Sequence, residues 1–325
     1  MTSSNGGAAG FSTADLEDVS VCELCGSTQL VHELDVDPWT LRRCEKCDIV
    51  FTAPRLQEQA LKRHYERGYY EGTAQYFSDQ ENPVTEDQRA LVREVSRLIK
   101  SATPASLDIG CGGGQLVEAF ADAGFSATGM EPSEAACLAA SKLGRNVQNV
   151  DLGSFPDASF DCVTAMHVLE HISHPGPFLA EIARLTKLNG IAVIEVPNYG
   201  CKASRHLGAK WVPLYPDTHL FHYTPSTLQR ALRKQGFTPI RVRRLGGLGL
   251  LGKPDAATAS TSTPEANASG RGSQARRPKT WKSTLWSMRA PLLGVPGVWR
   301  LMRWVAWELL GHGEFVRVMA RKPAE

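Results

Sequence analysis

The chain lacks a dominant charge: 36 Lys and Arg stand against 34 Asp and Glu, for a formal net charge of +2. That balance gives no broad electropositive footprint and argues against nucleic acid as the main partner. No run of 18 apolar residues occurs, so no membrane-spanning helix is expected. Residues 1–9 are small and polar, without the basic-then-apolar order of a secretory leader. A disordered stretch over 1–18 and a cytoplasmic location are therefore expected. The length, 325 residues, allows about two domains.

Cysteine is scarce and unevenly spread. Of eight, four form Cys22-x2-Cys25-x18-Cys44-x2-Cys47, a spacing that reads as a zinc site. Two such knuckles bring four thiolates to tetrahedral geometry, and the metal holds together a module too small for a core of its own. Disulfides are the competing reading. The missing leader weighs against them, as does the isolated placement of Cys111, Cys137, Cys162 and Cys201. Four cysteines leave no open coordination position, so the Zn2+ expected is structural. Residues 19–52 then read as a zinc ribbon, with a strand over Leu30 to Leu34, a turn at Asp37-Pro38 and a final strand at Ile49-Val50-Phe51.

A nicotinamide or flavin fingerprint is also missing. Ser106-Leu107-Asp108-Ile109-Gly110-Cys111-Gly112-Gly113-Gly114 is an apolar strand breaking into a glycine turn, followed by helical spacing of Leu116, Val117 and Phe120. The dinucleotide pattern needs a further glycine at position 115, where Gln115 stands. Gly110, Gly112 and Gly114, with Asp108 two residues ahead, fit a different ligand, because glycine lets the backbone approach it closely. Ser126 to Met130 reads as the next strand and ends in Glu131, about where a β-α-β unit offers an acid to ribose hydroxyls. From 104 onward short apolar strands alternate with helices. This predicts an α/β, Rossmann-like fold with a seven-stranded, mostly parallel sheet. Strands are expected near 106–108, 126–131, 147–149, 161–166, 190–196, 239–245 and 315–320, with the ligand at the switch in strand order.

These segments together resemble the class I S-adenosylmethionine-dependent methyltransferases. Asp151 precedes Pro156 in Asp-Leu-Gly-Ser-Phe-Pro, Ser159 to Val163 resembles the family's fourth strand, and His167-Val168-Leu169-Glu170-His171-Ile172 follows it. His219-Leu220-Phe221-His222-Tyr223-Thr224 and the stretch to Gly236-Phe237 are similar to a bacterial subgroup that includes ubiquinone-type O-methyltransferases. The resemblance covers roughly 104–245 and 314–322. It implies S-adenosylmethionine as cofactor, contacted by Asp108, Gly110, Cys111, Gly112, Gly114, Glu131, Asp151 and His167. It also implies an antiparallel final strand pair.

Residues 53–103 read as a helical connector and lid with Tyr65, Tyr69, Tyr70, Tyr76 and Phe77, ordinary packing between domains being the alternative. The methyltransferase domain is expected over 104–245 plus 313–323, interrupted by an insertion at 246–312. Within it 253–279 has the composition of a disordered segment, and 281–310 is helical and carries Trp281, Trp286, Trp299, Trp304 and Trp307. Its apolar face suits a cap on the domain; the alternative is peripheral membrane contact.

Methyl transfer to a hydroxyl needs a proton acceptor. His219 is the first choice, since the resemblance places a histidine there; His167 is the second, and Glu170-His171 has a structural alternative. The acceptor expected is a small molecule (a sugar, phenolic or lipid-linked intermediate) methylated on oxygen. C-methylation of a deoxysugar nucleotide, RNA methylation and a non-catalytic cofactor-binding role are the alternatives. Oligomeric state is not readable.

Overall fold

A computed structural model describes residues 11–65, 83–246 and 313–324. The aromatic residues 69, 70, 76 and 77 of the connector, and the insertion over 253–279 and 281–310, lie outside the described residues, as do residues 1–10.

The N-terminal region contributes five short strands: β1 (Leu16–Glu17), β2 (Leu30–Val36), β3 (Trp39–Cys44), β4 (Val50–Thr52) and β5 (Arg55–Leu56). Each cysteine pair turns in the same way. The Gly26 amide donates to the Cys22 carbonyl and the Asp48 amide to the Cys44 carbonyl, both at 2.8 Å. Gly26 and Asp48 take φ of +75° and +59°, the left-handed conformation that tight turns recruit glycine or a short polar residue to adopt.

The second sheet follows from β6 (Ala105–Ile109), β7 (Ser126–Met130), β8 (Val147–Gln148), β9 (Phe160–Met166) and β10 (Thr186–Pro197). After them come β11 (Phe221–His222), β12 (Thr238–Leu245) and β13 (Phe315–Arg321). Its order is β12-β13-β10-β9-β6-β7-β8. Neighbours from β10 to β8 run parallel, whereas β13 runs antiparallel to both β10 and β12. All seven strands lie where the apolar runs predict them. β10 begins at Thr186 rather than near 190, because Asn189, at φ +64°, forms a bulge before the regular register resumes at Ile191.

Both faces of the central strands β9, β10 and β13 are covered, so these are apolar at mostly consecutive positions rather than alternate ones. Ile191, Val193 and Met319 pack with Val84, Leu91, Val95, Leu116 and Phe120. Ala192, Ile194, Val196, Val316 and Val318 face the other way, into a core that also contains Ile49, Phe51, Leu56 and Tyr223. The N-terminal strands therefore share a core with the larger sheet. They also share a strand: β11 pairs antiparallel with β4, Phe221 opposite Phe51, to complete a four-stranded sheet of order β11-β4-β3-β2.

Candidate functional site

The turn after β6 lies beside the C-terminal ends of β7 and β9, where the strand order reverses. The Gly110 and Cys111 amides donate to the Met130 carbonyl at 2.8 and 3.2 Å, which folds the turn back over β7. Gly110, Gly112 and Gly114 have φ of +65°, +53° and +75°. A Cβ at Gly110 would lie 2.6 Å from Val168 Cγ2, and one at Gly114 2.7 Å from Val147 Cγ2. Conformation and space thus both require glycine at these two positions. Arg145 closes the outer side by donating to the Gly113 carbonyl at 2.7 Å.

Glu131, 7% exposed, sits beneath this turn. One carboxylate oxygen accepts from the Gly112 amide at 2.9 Å, the other from the Ser133 amide at 3.0 Å. Burial raises its pKa, and the two amides oppose that rise. Asp108 accepts from Thr164 Oγ1 at 2.5 Å. Burial pushes it up to about 7, against the Thr164 bond and with the charge of Glu131 adding to the rise. Burial, then the charges of Asp108 and Glu131, drive the Cys111 thiol upward, so it is not a nucleophile. Asp151 is exposed and begins the short turn Leu152–Ser154 beyond β8.

On the other side of the turn, His167 follows β9 with φ of +58°. Its Nε2 lies 3.1 Å from Glu195 Oε1, and its Nδ1 makes an ion-pair contact of 3.5 Å with Glu170 Oε1. Glu195 is paired in turn with Arg317, at 2.5 Å, and Arg317 also reaches Asp87. Burial alone would lower the His167 pKa, but the two carboxylates outweigh it and raise it to about 10. That shift favours the charged, imidazolium form of His167.

Glu170, 1% exposed, lies in the turn Leu169–His171. Burial raises its pKa, yet His167 and the neighbouring histidines prevail and lower it. His171 Nδ1 is 2.6 Å from the Tyr65 hydroxyl and 3.0 Å from the Thr218 carbonyl. The His171 and His219 rings meet edge to face at 4.6 Å. His219 Nδ1 lies 2.8 Å from the Pro213 carbonyl, which can only accept. Its proton is thus on Nδ1, leaving Nε2 as the acceptor nitrogen. Burial, then the charge of His171, hold its pKa at about 4. His222 is buried 3.5 Å from Thr52 Oγ1 in the ribbon's sheet, apart from this group.

The structure thus brings His171 and His219 together, where the sequence offered them as separate candidates. Tyr65, Glu170 and Glu195 complete the arrangement. Glu195 had a readable signal, an acid within the apolar run Ile191-Ala192-Val193-Ile194-Glu195-Val196.

The four cysteines form a separate cluster. Cys22 Sγ lies 3.5 Å from Cys47 Sγ and Cys25 Sγ 3.5 Å from Cys44 Sγ, with all four sulfurs within 4.8 Å of one another. A tetrahedron with metal–sulfur bonds of about 2.3 Å has edges of about 3.8 Å, so the donors fit zinc. Behind the cluster, Thr52 donates its amide to the Leu220 carbonyl at 3.0 Å and its hydroxyl to the His219 carbonyl at 3.2 Å. Leu220 in turn donates to the Glu170 carbonyl at 2.7 Å. Arg55, 3% exposed, donates to the Ser173 carbonyl and pairs with Glu17 and Glu23. The ribbon thereby braces both histidine-bearing segments.

Residues 84–242 match a family described as "Methyltransferase domain". The "Ubiquinone biosynthesis O-methyltransferase" of Maricaulis maris is 35% identical over 147 residues, covering 41% of this chain and 58% of that protein. Its namesake from Caulobacter vibrioides is 37% identical over 129 residues, covering 35% and 50%. The one from Dinoroseobacter shibae is 31% identical over 179 residues, covering 49% of this chain and 72% of that protein. The chain thus spans about half the length of the first two relatives. A solved structure described as a "SAM dependent methyltransferase from Archaeoglobus fulgidus" overlaps 78% of this chain and 100% of its own, with a TM-score of 0.47 at 21% identity. That overlap is too low to bear on function.

Proposed function

The chain belongs to the class I S-adenosylmethionine-dependent methyltransferases, and from that premise we propose that it methylates an oxygen of a small-molecule acceptor. The observation that carries this reading is Glu131 beneath the positive-φ glycine turn at the reversal of strand order. Each Glu131 oxygen spends one lone pair on a backbone amide, leaving the others for ribose hydroxyls. The glycine turn admits the ligand to the backbone, Asp151 stands at the adenine side, and a cation bound nearby favours the ionised form of Asp108. S-adenosylmethionine supplies, when bound, a methyl group on positively charged sulfur.

The chain's own contribution is mainly to position the acceptor in line with that methyl, an effect worth up to about 7–11 kcal/mol in favourable cases. His219 Nε2 accepts a hydrogen bond from the acceptor hydroxyl and orients its lone pair. Held at about 4, it is a weak base at neutral pH. Cys22, Cys25, Cys44 and Cys47 hold a structural Zn2+ that fixes the ribbon behind the acceptor segment. The acceptor is a sugar, phenolic or lipid-linked intermediate; the relatives bearing the name "Ubiquinone biosynthesis O-methyltransferase" support the oxygen. The test is turnover of methyl-labelled cofactor against sugar nucleotides, phenolic lipids and RNA, with the labelled position determined by NMR. An O-methyl ether is expected. A C-methyl product, or label confined to RNA, would replace this reading.

A further inference from the structure

Three glycines at positive φ make the turn after β6 easily deformed. Arg145 holds it from outside. This residue follows the helix Glu134–Lys142, and its amide donates to the Ala140 carbonyl at 3.0 Å. Its stem lies against Gly114, where an added Cβ would come within 3.2 Å of Arg145 Cδ. The side chain is only 7% exposed, and its guanidinium donates to the Gly113 carbonyl at 2.7 Å. The same group pairs with Glu118 of the helix Gln115–Asp122.

A second arginine acts in the same way on the turn that begins at Asp151. Arg184, near the end of the helix Pro175–Leu185, donates to the Leu152 carbonyl at 3.0 Å and to the Phe155 carbonyl at 2.8 Å. It also pairs with Glu181 and Asp157. Ser154 links this turn to Asp151 itself, its amide and hydroxyl both donating to the Asp151 carbonyl, at 3.0 and 2.6 Å. We propose that Arg145 and Arg184 are positioning residues for the nucleoside half of S-adenosylmethionine. Neither touches the ligand; they hold the glycine turn and the Asp151 turn at the separation the nucleoside needs. The proposal rests on the reading of these two turns as walls of the cofactor site.

Both arginines grip main-chain carbonyls, and a hydrogen bond from a charged donor is stronger than one between neutral groups. A wall already fixed in the free protein spares ligand binding the cost of ordering it. The ion pairs themselves are a lesser matter. Glu118 is 40% exposed and Glu181 37%, so water screens both. The carbonyl bonds therefore carry the effect, and removing the carboxylates should leave it largely intact. The nucleoside is held alike before and during transfer, so the loss should fall on cofactor binding rather than on the reacting groups.

The test measures the affinity of the full chain for S-adenosylhomocysteine by calorimetry, well below the melting temperature of each variant. Arg145→Met and Arg184→Met should each weaken binding about fivefold, and the double substitution about twenty-five-fold, the product expected for separate walls. Arg145→Lys, which can still donate to the Gly113 carbonyl, should recover part of the loss. Glu118→Gln and Glu181→Gln should bind within about twofold of the wild-type chain. A merely structural role would lower the melting temperature of the arginine variants and leave the affinity of the folded chains unchanged. That result, or glutamate variants as weak as the arginine ones, overturns the proposal while wild-type binding upholds the cofactor reading. A wild-type chain that binds no S-adenosylhomocysteine defeats the cofactor reading and the proposal with it.

Discussion

The proposed cofactor side and the proposed acceptor side are built on different principles. On the cofactor side, Asp108, the glycine turn and Glu131 come from one continuous β-turn-helix-β unit and act largely through backbone amides and carbonyls. On the acceptor side, Tyr65, Glu170, His171 and His219 come from three distant segments and meet through titratable side chains. The first side is held by the sheet that contains it. The second is braced from outside, by Thr52 and Arg55 of the cysteine-bearing region. Cofactor binding and acceptor chemistry should therefore be separable by mutation.

The largest expected separation comes from the ribbon. Cys44→Ser should release the metal and open residues 19–52 to protease, since structural zinc contributes about 10–16 kcal/mol to folding in small zinc-finger peptides. Cofactor should still bind by calorimetry, while turnover should be lost as β11 loses β4. Loss of cofactor affinity as well would mean that the two sides are one unit. On the opposite side, Gly110→Ala meets Val168 and keeps a strained φ, at a cost of about 1–3 kcal/mol. Lower thermal stability and weaker cofactor binding are expected; unchanged values of both would remove the steric argument. Glu131→Ala, which leaves polar groups unpaired, should weaken S-adenosylmethionine binding at least roughly fivefold, or about 1 kcal/mol. Equal affinity would sink its assignment to the ribose.

The smallest effect is a matter of protons. NMR titration should find His167 charged up to a pH of about 10, whereas His219 stays neutral down to about 4. For His167 the folded pKa is raised above the unfolded value of about 6.5. Its stabilising contribution is therefore complete below about 6.5 and is lost as pH rises through about 10. The ring is 43% exposed, so the contribution is small. His167→Gln should flatten this alkaline slope in thermal melts; an unchanged slope would place the loss elsewhere.

How much the sequence discloses tracks the same division. Strand positions are readable from apolar runs such as Ile191 to Val196, since burial on both faces leaves little room for polar residues. The glycine turn and the cysteine knuckles are readable because their geometry is local. The pairing of Phe221–His222 with Val50–Phe51 is not, because two residues carry no periodicity and their partner lies far back in the chain. Nor is the state of His167, which depends on Glu170 beside it and on Glu195 of the neighbouring strand. The meeting of His171 with His219 requires knowing how the segment after β10 folds back over the turn after β9.

The β4–β11 pairing also bears on the order in which the molecule can assemble. A ribosome delivers the cysteine-bearing strands first, and Val50–Thr52 must wait for Phe221–His222 before that flank of the small sheet is covered. Until then β4 presents unpaired backbone groups to any other nascent chain, the circumstance in which strands associate wrongly. Closing so long a loop is also slow compared with forming the local hairpin of β2 and β3. With zinc held by the knuckles as proposed, early metal capture would keep the hairpin in register during that interval, and the supply of zinc during synthesis should then govern how much chain reaches its native form.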